Sequence, residues 1–188
     1  MEKEELIESL KSRSYLKSER VEKAFREVER ENFVEKKYRQ DAYSDKPLPL
    51  KSGQTISAPH MVCMMTELLD TQGNEKVLEI GSGSGFQAAI LSKLVEEVVT
   101  VEQIPELYEI AKENLESYEN VHLFQGDGSK GFPDRAPYDK ILVTCASPRL
   151  PEPLKRQLKE GGLIVIPEGG QKAQELIVYR KENGEFSK

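Results

Sequence analysis

Three glycines at alternate positions are the residues best suited to ligand binding. They occupy positions 81, 83 and 85, after a short apolar run at 77–80 and before a segment with helical periodicity. Glycine adopts positive φ without steric cost and lets the backbone approach a ligand closely. In open α/β sheets, ligands bind where a strand ends and a helix begins. The segment therefore predicts a ligand-binding loop that contains Glu79, Gly81, Ser82, Gly83 and Gly85.

The spacing of these glycines distinguishes three kinds of cofactor loop. A dinucleotide-binding loop has the pattern G-x-G-x-x-G, but Phe86 stands where the third glycine is required. A P-loop ends in lysine followed by serine or threonine, and this segment has no such ending. The pattern E-x-G-x-G-x-G, with Glu79 as its acid, is typical of methyltransferase loops that bind S-adenosyl-L-methionine. An acidic loop also suits a ligand that carries a sulfonium and an ammonium but no phosphate.

Two further acidic side chains follow the next two predicted strands. Glu102, with Gln103 beside it, ends the strand after the glycine loop, where a carboxylate can accept hydrogen bonds from both hydroxyls of a ribose. The turn of Gly126, Asp127 and Gly128 follows the third strand, and its aspartate can accept a bond from an adenine amino group. Either feature alone is better explained as a solvated strand end or a turn. Together they favour a nucleoside-binding site.

A parallel sheet is needed to bring these residues together. Apolar runs alternate with segments of helical periodicity, which predicts a Rossmann-like α/β fold: a doubly wound, mostly parallel sheet with helices on both faces. The predicted strands are 77–80, 98–102, 121–125, 141–145, 163–167 and 175–181. The predicted helices are 86–94, a segment that begins at Pro105, and a segment that begins near Pro59 and stops at Gly73.

The first fifty residues are predicted to form a helical cap on this core. Two apolar stripes have helical spacing, one near residues 6–10 and one at residues 21–28. Prolines and glycines then interrupt regular structure at residues 45–54. We expect a single domain over 1–188, in which residues 1–56 form the cap and a substrate loop, and residues 57–188 form the S-adenosyl-L-methionine-binding core.

Composition limits the compartment and the partners. The 188 residues carry 27 basic and 33 acidic side chains, a net charge of −6, which argues against nucleic-acid binding. Cys63 and Cys145 have no CxxC spacing, which favours a reducing cytoplasmic location, and we expect Cys145 to be buried. No apolar run approaches 18 residues, so no membrane contact is expected. His60 and Cys63 alone do not make a metal site. A monomer is expected.

The sequence resembles the protein-L-isoaspartate O-methyltransferase family over nearly its whole length. The resemblance rests on Glu102 and on residues 45–50, 53–61, 77–85, 126–128, 137–139 and 161–167. Residues 54–60 are the most specific part, since many methyltransferases share the glycine loop. The resemblance implies methyl transfer from S-adenosyl-L-methionine, which leaves S-adenosyl-L-homocysteine, to the α-carboxylate of L-isoaspartyl residues in damaged proteins and peptides. The ester then closes to a succinimide without the enzyme, and hydrolysis restores some normal aspartate.

The same resemblance implies an acceptor site in the loop before the helix. Ser57 matches the active-site serine of the family, and its hydroxyl can hold the acceptor carboxylate. Thr55 and Ile56 line the same loop, and His60 can donate to the substrate. The acceptor carboxylate is ionised at pH 7 and is itself the nucleophile, so no general base is required. From the residues alone, Ser57 is better explained as a helix cap ahead of Pro59, and His60 is equally well explained as a locally packed side chain.

Three alternative functions stay open. The glycine loop also allows a methyltransferase of another acceptor, such as a small molecule or RNA. Family members usually continue past the last strand, whereas this sequence ends at residue 188, so a cofactor-binding but inactive short member is a second alternative. A nicotinamide-dependent dehydrogenase is a distant third, because it requires glycine in place of Phe86.

Overall fold

A seven-stranded sheet forms the centre of the molecule, with apolar layers on both of its faces. The computed structural model describes residues 2–170 and 173–188. Its α-helices are α1 (Lys3–Ser12), α2 (Glu19–Glu27), α3 (Pro59–Leu69), α4 (Phe86–Ser92), α5 (Pro105–Asn114) and α6 (Glu152–Gln157). Its strands are β1 (Leu48–Pro49), β2 (Thr55–Ile56), β3 (Lys76–Ile80), β4 (Glu97–Glu102), β5 (Val121–Gln125), β6 (Tyr138–Val143), β7 (Leu158–Gly169), β8 (Gln174–Glu182) and β9 (Glu185–Ser187).

The order of the strands creates a crevice at one edge of the sheet. The order is β5-β4-β3-β6-β7-β8-β9, in which β3 to β7 run parallel and β8 and β9 continue antiparallel. The chain proceeds from β3 to one side and later from β6 to the other, so the loops after these strands diverge. Open α/β sheets bind ligands at such a switch point. The predicted doubly wound, mostly parallel sheet is confirmed.

Alternation along the strands separates the core into two layers. In β3, the completely buried Val77 faces the layer that includes α3, α4 and α5, whereas Leu78 and Ile80 face the layer that includes α6. Both faces of each central strand are therefore apolar, as expected for a parallel sheet covered on both sides. Against this background, the acidic side chain of Glu79 inside β3 is an exception that needs a reason.

The N-terminal helices pack on α4, which confirms the two predicted stripes. Ser18 begins α2 and its hydroxyl accepts a bond from the backbone N–H of Val21 at 3.3 Å. Phe25 of α2 meets Phe86 edge to face, with ring centroids 5.9 Å apart. The guanidinium of the buried Arg30 lies 5.2 Å from the centroid of the same ring. The cap is thus anchored to the residue that directly follows the glycine loop.

Several element ends differ from the sequence-based expectation: β6 begins at Tyr138 and β7 at Leu158, three and five residues earlier than predicted. Helix α3 ends at Leu69 and does not reach Gly73, because Asp70 adopts the left-handed conformation with φ of 48°. Strand β6 ends at Val143, two residues early, because Thr144 and Cys145 leave the sheet and border the crevice. The hydroxyl of Thr144 donates instead to the carbonyl oxygens of Ile80 and Gly81, at 2.9 and 2.6 Å.

A small hairpin was not predicted. Strands β1 and β2 pair antiparallel, with Leu48 opposite Ile56, and the N–H of Leu50 donates to the carbonyl of Gln54 at 2.8 Å. The prolines and glycines of this segment predicted irregular structure. Strands of two residues are also too short to show an alternating pattern. The β9 edge strand was also missed. Over the described part of the chain, no helix combines the length and apolar character needed to cross a bilayer.

Candidate active site

A cavity of about 390 Å³ opens at the carboxyl ends of β3, β4 and β6. It is bordered by the glycine loop on one side and by the loop that contains β2 on the other. Among the predicted site residues, those that line it are Thr55, Ile56, Ser57, Gly81, Ser82, Gly83, Glu102, Gln103, Asp127 and Gly128. Glu79, Gly85, Gly126 and His60 do not line it. The cavity therefore brings the predicted cofactor loop and the predicted acceptor loop together.

The glycine loop needs glycine for two separate reasons. Gly81, Gly83 and Gly85 all have positive φ, of 96°, 56° and 89°. A Cβ on Gly81 would lie 2.7 Å from Oγ1 of Thr144, and one on Gly85 would lie 2.9 Å from Leu115. Both the conformation and the close packing exclude a side chain at these positions. Gly85 is the N-cap residue of helix α4 and does not line the cavity. It shapes the turn between the glycine loop and the helix.

The carboxylate of Glu102 is fixed in place by the backbone. One oxygen accepts the N–H of Gly83 and the other accepts the N–H of Ile104, each at 2.9 Å. The side chain is 4% exposed and borders the cavity. A carboxylate oxygen has two lone pairs, so each oxygen retains one for a ligand hydroxyl. Glu102 therefore links the glycine loop to the end of β4 and presents a fixed pair of acceptors.

Glu79 lies beneath the glycine loop, away from the cavity lining. It is fully buried, and its Oε2 is hydrogen-bonded to the hydroxyl of Thr100. That hydroxyl lies 2.6 Å from Oγ of Ser82, which does border the cavity. Burial, together with the nearby charge of Glu102, raises the pKa of Glu79 to about 8. Glu79 thus reaches the cavity only through two hydroxyl groups.

Asp127 caps a short turn at the cavity rim. Its Oδ1 accepts the backbone N–H and the hydroxyl of Ser129, at 3.0 and 2.7 Å. These bonds lower its pKa, so the carboxylate is ionised at neutral pH. Oδ2 lies 3.6 Å from Nζ of the exposed Lys130. Asp127 therefore serves the turn and also presents a carboxylate oxygen near the predicted adenine position. Next to it, a Cβ on Gly128 would lie 2.4 Å from Ile80.

The acceptor loop places Ser57 on the cavity wall between β2 and α3. The residue at the N-cap of α3 is Ala58, and no side chain caps this helix. The alternative of a capping serine is therefore not what the structure shows. Ile56 is 4% exposed and anchors the loop in the core, whereas Thr55 is exposed. Ser57 is held by a buried neighbour on each side.

His60 belongs to a cluster outside the cavity lining. Asp45 Oδ1 accepts the backbone N–H of His60 at 2.9 Å and lies 2.8 Å from its Nδ1. Arg13 donates to the other oxygen of Asp45 at 2.7 Å. The ring of Tyr15 packs against that of His60, with the two ring centroids 5.3 Å apart. Burial acts to raise the pKa of Asp45, but the bonds from His60 and Arg13 together outweigh it and lower the pKa. This cluster closes the base of the segment that carries β1 and β2.

Sequence reasoning missed one wall of the cavity. Residues 143–148, at the end of β6 and in the loop after it, line it, together with Ile104 and Leu107 at the start of α5. The one available signal was their position at the end of a predicted strand. The prediction of a buried Cys145 is wrong: the residue is exposed where it borders the cavity, although the surrounding protein still raises the pKa of its thiol. Cys63 is fully buried.

The donors and acceptors of the cavity fit a neutral-to-cationic nucleoside ligand. The fixed Glu102 supplies an acceptor pair, the glycine loop supplies a close backbone cradle, and Leu107 supplies an apolar surface. Among residues 2–170 and 173–188, no three His, Cys, Asp or Glu side chains are placed to hold a metal ion. The sheet has the Rossmann-like topology expected of S-adenosyl-L-methionine-dependent methyltransferases.

Comparison with known proteins identifies the family within this class. The sequence profile of the family described as protein-L-isoaspartate(D-aspartate) O-methyltransferase matches residues 1–188. The protein-L-isoaspartate O-methyltransferase of Methanopyrus kandleri is 51% identical over 98% of this chain and 84% of its own length. That of Pyrococcus horikoshii is 49% identical over 95% of this chain and 83% of its own length. This chain belongs to the protein-L-isoaspartate(D-aspartate) O-methyltransferase family.

Solved structures agree with this assignment. A protein-L-isoaspartate O-methyltransferase structure matches with a TM-score of 0.89 and 33% identity, over 98% of this chain and 62% of that one. The present chain thus spans less than two thirds of that protein. A Plasmodium falciparum homologue in complex with S-adenosyl-L-homocysteine has a TM-score of 0.84 at 24% identity, over 96% of this chain and 90% of its own, and supports the fold.

Proposed function

We propose that this enzyme methylates the α-carboxylate of L-isoaspartyl residues in damaged proteins and peptides. The observation that carries the proposal is one cavity lined both by the glycine loop with Glu102 and by the acceptor loop with Ser57. The names of relatives about 50% identical to this chain support the choice of acceptor. The alternative of a small-molecule or RNA acceptor has no comparable support.

The cofactor side of the cavity binds by shape and by fixed acceptors. When bound, S-adenosyl-L-methionine supplies an electrophilic methyl group on a sulfonium. Glu102 would accept hydrogen bonds from the ribose hydroxyls, since its orientation is already set by two backbone N–H groups. The turn at Asp127 and Gly128 would contact the adenine, and Gly81 and Gly83 would follow the amino-acid portion. These residues bind and orient, and none of them exchanges a proton in the reaction.

On the acceptor side, Ser57 orients a nucleophile that belongs to the substrate. The acceptor carboxylate is ionised at neutral pH, so the enzyme needs no base to activate it. The Ser57 hydroxyl would donate to one carboxylate oxygen and leave the other directed into the cavity. Ile56 and the segment after β6 would exclude water from the reacting atoms. Rate enhancement then comes mainly from alignment.

Two matched peptides test the acceptor. The enzyme is incubated with methyl-labelled S-adenosyl-L-methionine and with peptides that differ only in an isoaspartyl or an aspartyl linkage. We expect base-labile label on the isoaspartyl peptide alone. Label on neither peptide, with cofactor bound, would support the inactive alternative. Label on an RNA or small-molecule acceptor instead would replace the proposed substrate.

The Ser57→Ala variant tests the orienting hydroxyl in the same assay. We expect kcat to fall about tenfold or more, because the lost bond aligns the nucleophile, while the dissociation constant of S-adenosyl-L-homocysteine changes less than about twofold. Ser44→Ala, a substitution outside the residues that line the cavity, is the control. Unchanged turnover in Ser57→Ala would remove the orienting role, and a parallel loss of cofactor affinity would assign Ser57 to the other side of the cavity.

A further inference from the structure

We propose that Glu79 is a positioning residue, held as the neutral acid, that acts through Thr100 to make Ser82 a hydrogen-bond donor toward the carboxylate of the bound cofactor. The proposal rests on the proposed function only for the identity of the ligand. The remainder follows from a buried chain of three side chains that connects the core of β3 to the cavity wall.

The surroundings of Glu79 oppose a negative charge. The side chain is fully buried, and its Oε1 has no hydrogen-bond partner among the described residues. An ionised carboxylate oxygen left in that state has a large desolvation cost, whereas the carbonyl oxygen of a neutral acid costs much less. No described lysine, arginine or histidine forms an ion pair with Glu79. The charge that does act on it is the carboxylate of Glu102, which is repulsive.

The elements around Glu79 offer no compensating cation. Thr100 of β4 is on the same side of the sheet as Glu79, and the register partner of Glu79 on β6 is Leu142. Both neighbouring strands therefore present uncharged side chains at this level. The layer of α3 and α4 over this face consists of apolar residues together with the polar but uncharged pair Thr66 and Gln87, which are hydrogen-bonded at 2.9 Å.

The number of available protons determines which group donates in each hydrogen bond between Glu79, Thr100 and Ser82. Oγ1 of Thr100 and Oε2 of Glu79 share a hydrogen bond, in which Thr100 is the donor when Glu79 is ionised. When Glu79 is neutral, its proton on Oε2 donates to Oγ1 of Thr100 instead, so the one hydrogen of Thr100 is directed at Ser82. The hydrogen of Ser82 is consequently left to point elsewhere, and Ser82 borders the cavity. If Glu79 were ionised, the order would reverse. Thr100 would donate to Glu79, Ser82 would donate to Thr100, and Ser82 would present only lone pairs to a ligand.

The two directions recognise opposite ligand groups. A serine with a free hydrogen stabilises an anionic oxygen, and one with only lone pairs stabilises an ammonium or repels a carboxylate. The amino-acid portion of S-adenosyl-L-homocysteine carries both groups, so the protonation state of Glu79 decides which of them Ser82 contacts. The buried acid would thus act on cofactor affinity without touching the cofactor.

The test is the pH dependence of S-adenosyl-L-homocysteine binding, measured by isothermal titration calorimetry from pH 6.5 to 9.5 on the full chain. Glu79→Gln keeps the shape and a fixed donor toward Thr100, so its affinity at pH 7 should stay within about threefold of the wild type. Above pH 8 the wild type should lose about tenfold more affinity than Glu79→Gln. The variant also serves as the reference for titration of the ligand's own amino group.

Two further variants separate positioning from folding. Thr100→Val removes the middle hydroxyl of the three hydrogen-bonded side chains, and Ser82→Ala removes the last one. Each variant should bind S-adenosyl-L-homocysteine about tenfold more weakly at pH 7. In each background, the affinity should depend on pH in the same way with and without Glu79→Gln. Thermal unfolding of each variant checks that the fold is retained. If the affinity of the wild type and of Glu79→Gln changed equally with pH, the proposed role of Glu79 would be wrong, and the proposed function would be unaffected. Failure of the wild type to bind at any pH would contradict the proposed function as well.

Discussion

The two sides of the cavity are built in different ways. On the cofactor side, Glu79 and Glu102 are at most 4% exposed, and Gly81 and Gly85 between them have no space for a side chain. On the acceptor side, residues 51–55 are exposed, and a Cβ on Gly53 would contact nothing within 4 Å. The first side is a part of the core, whereas the second is a surface segment held at its ends. Cofactor binding should therefore be coupled to global stability, and acceptor binding should not.

Replacement of Glu79 by glutamine should have the largest effect on stability. The folded-state pKa of Glu79, about 8, exceeds its ordinary value of 4.5. The folded protein therefore binds the proton more tightly than the unfolded chain, and its free energy of unfolding falls as pH rises from 4.5 to 8. Over that range the wild type should lose on the order of 4 kcal/mol relative to Glu79→Gln. Urea unfolding of both proteins at pH 5 and pH 8 measures this difference, and parallel curves would contradict it.

A pair of glycine variants tests the contrast directly. Gly81→Ala introduces both backbone strain and an overlap with Thr144, and should cost about 3 kcal/mol and abolish measurable cofactor binding. Gly53→Ala introduces strain alone, since φ is +69° and space is open, and should cost about 1 kcal/mol. Thermal unfolding and S-adenosyl-L-homocysteine titration measure both effects. Equal costs would mean that the two sides of the cavity do not differ.

Replacement of Glu102 should weaken the binding of the cofactor and leave the binding of the peptide unchanged. In Glu102→Gln, only one oxygen is left to accept a bond from the two backbone N–H groups of Gly83 and Ile104. The new NH₂ group faces the other N–H, and two donors cannot form a hydrogen bond. We expect the KM for S-adenosyl-L-methionine to rise about tenfold or more, with the KM for the isoaspartyl peptide nearly constant. Glu106→Gln, on the surface of α5, is a matched control for cofactor affinity. A rise in peptide KM alone would reverse the assignment of the two sides.

The smallest effect is expected from the contact that holds the acceptor segment to α5. The hydroxyl of Ser52 donates to Glu106 at 2.7 Å, and both side chains are exposed. Ser52→Ala should raise the KM for the peptide about twofold and leave the unfolding midpoint unchanged, because an exposed bond contributes little to stability. Steady-state kinetics measure the first quantity and calorimetry measures the second. A loss of stability above about 1 kcal/mol would show that this segment belongs to the core.

Sequence reasoning predicted the strands well where both faces are apolar. The 121–125 run corresponds to β5, and the 77–80 and 98–102 runs correspond to β3 and β4 within one residue. Long-range side-chain placement was not predictable in the same way. Glu79 was grouped with the ligand contacts because of its motif, yet it lies one layer deeper, because alternation in β3 turns it toward Thr100. Similarly, the exposure of Cys145 depends on where β6 ends.

The contact between the cap and Phe86 also bears on synthesis at the ribosome. Phe25 and Arg30 pack on a residue that is translated more than fifty positions later. The apolar stripes of α1 and α2 consequently emerge well before their partner surface on α4 exists. Nascent chains in which α4 has not yet left the ribosome would expose this surface, which is the condition under which chains aggregate or recruit chaperones. The glycine loop and the first helices should therefore become protease-resistant in a single step, after α4 leaves the exit tunnel.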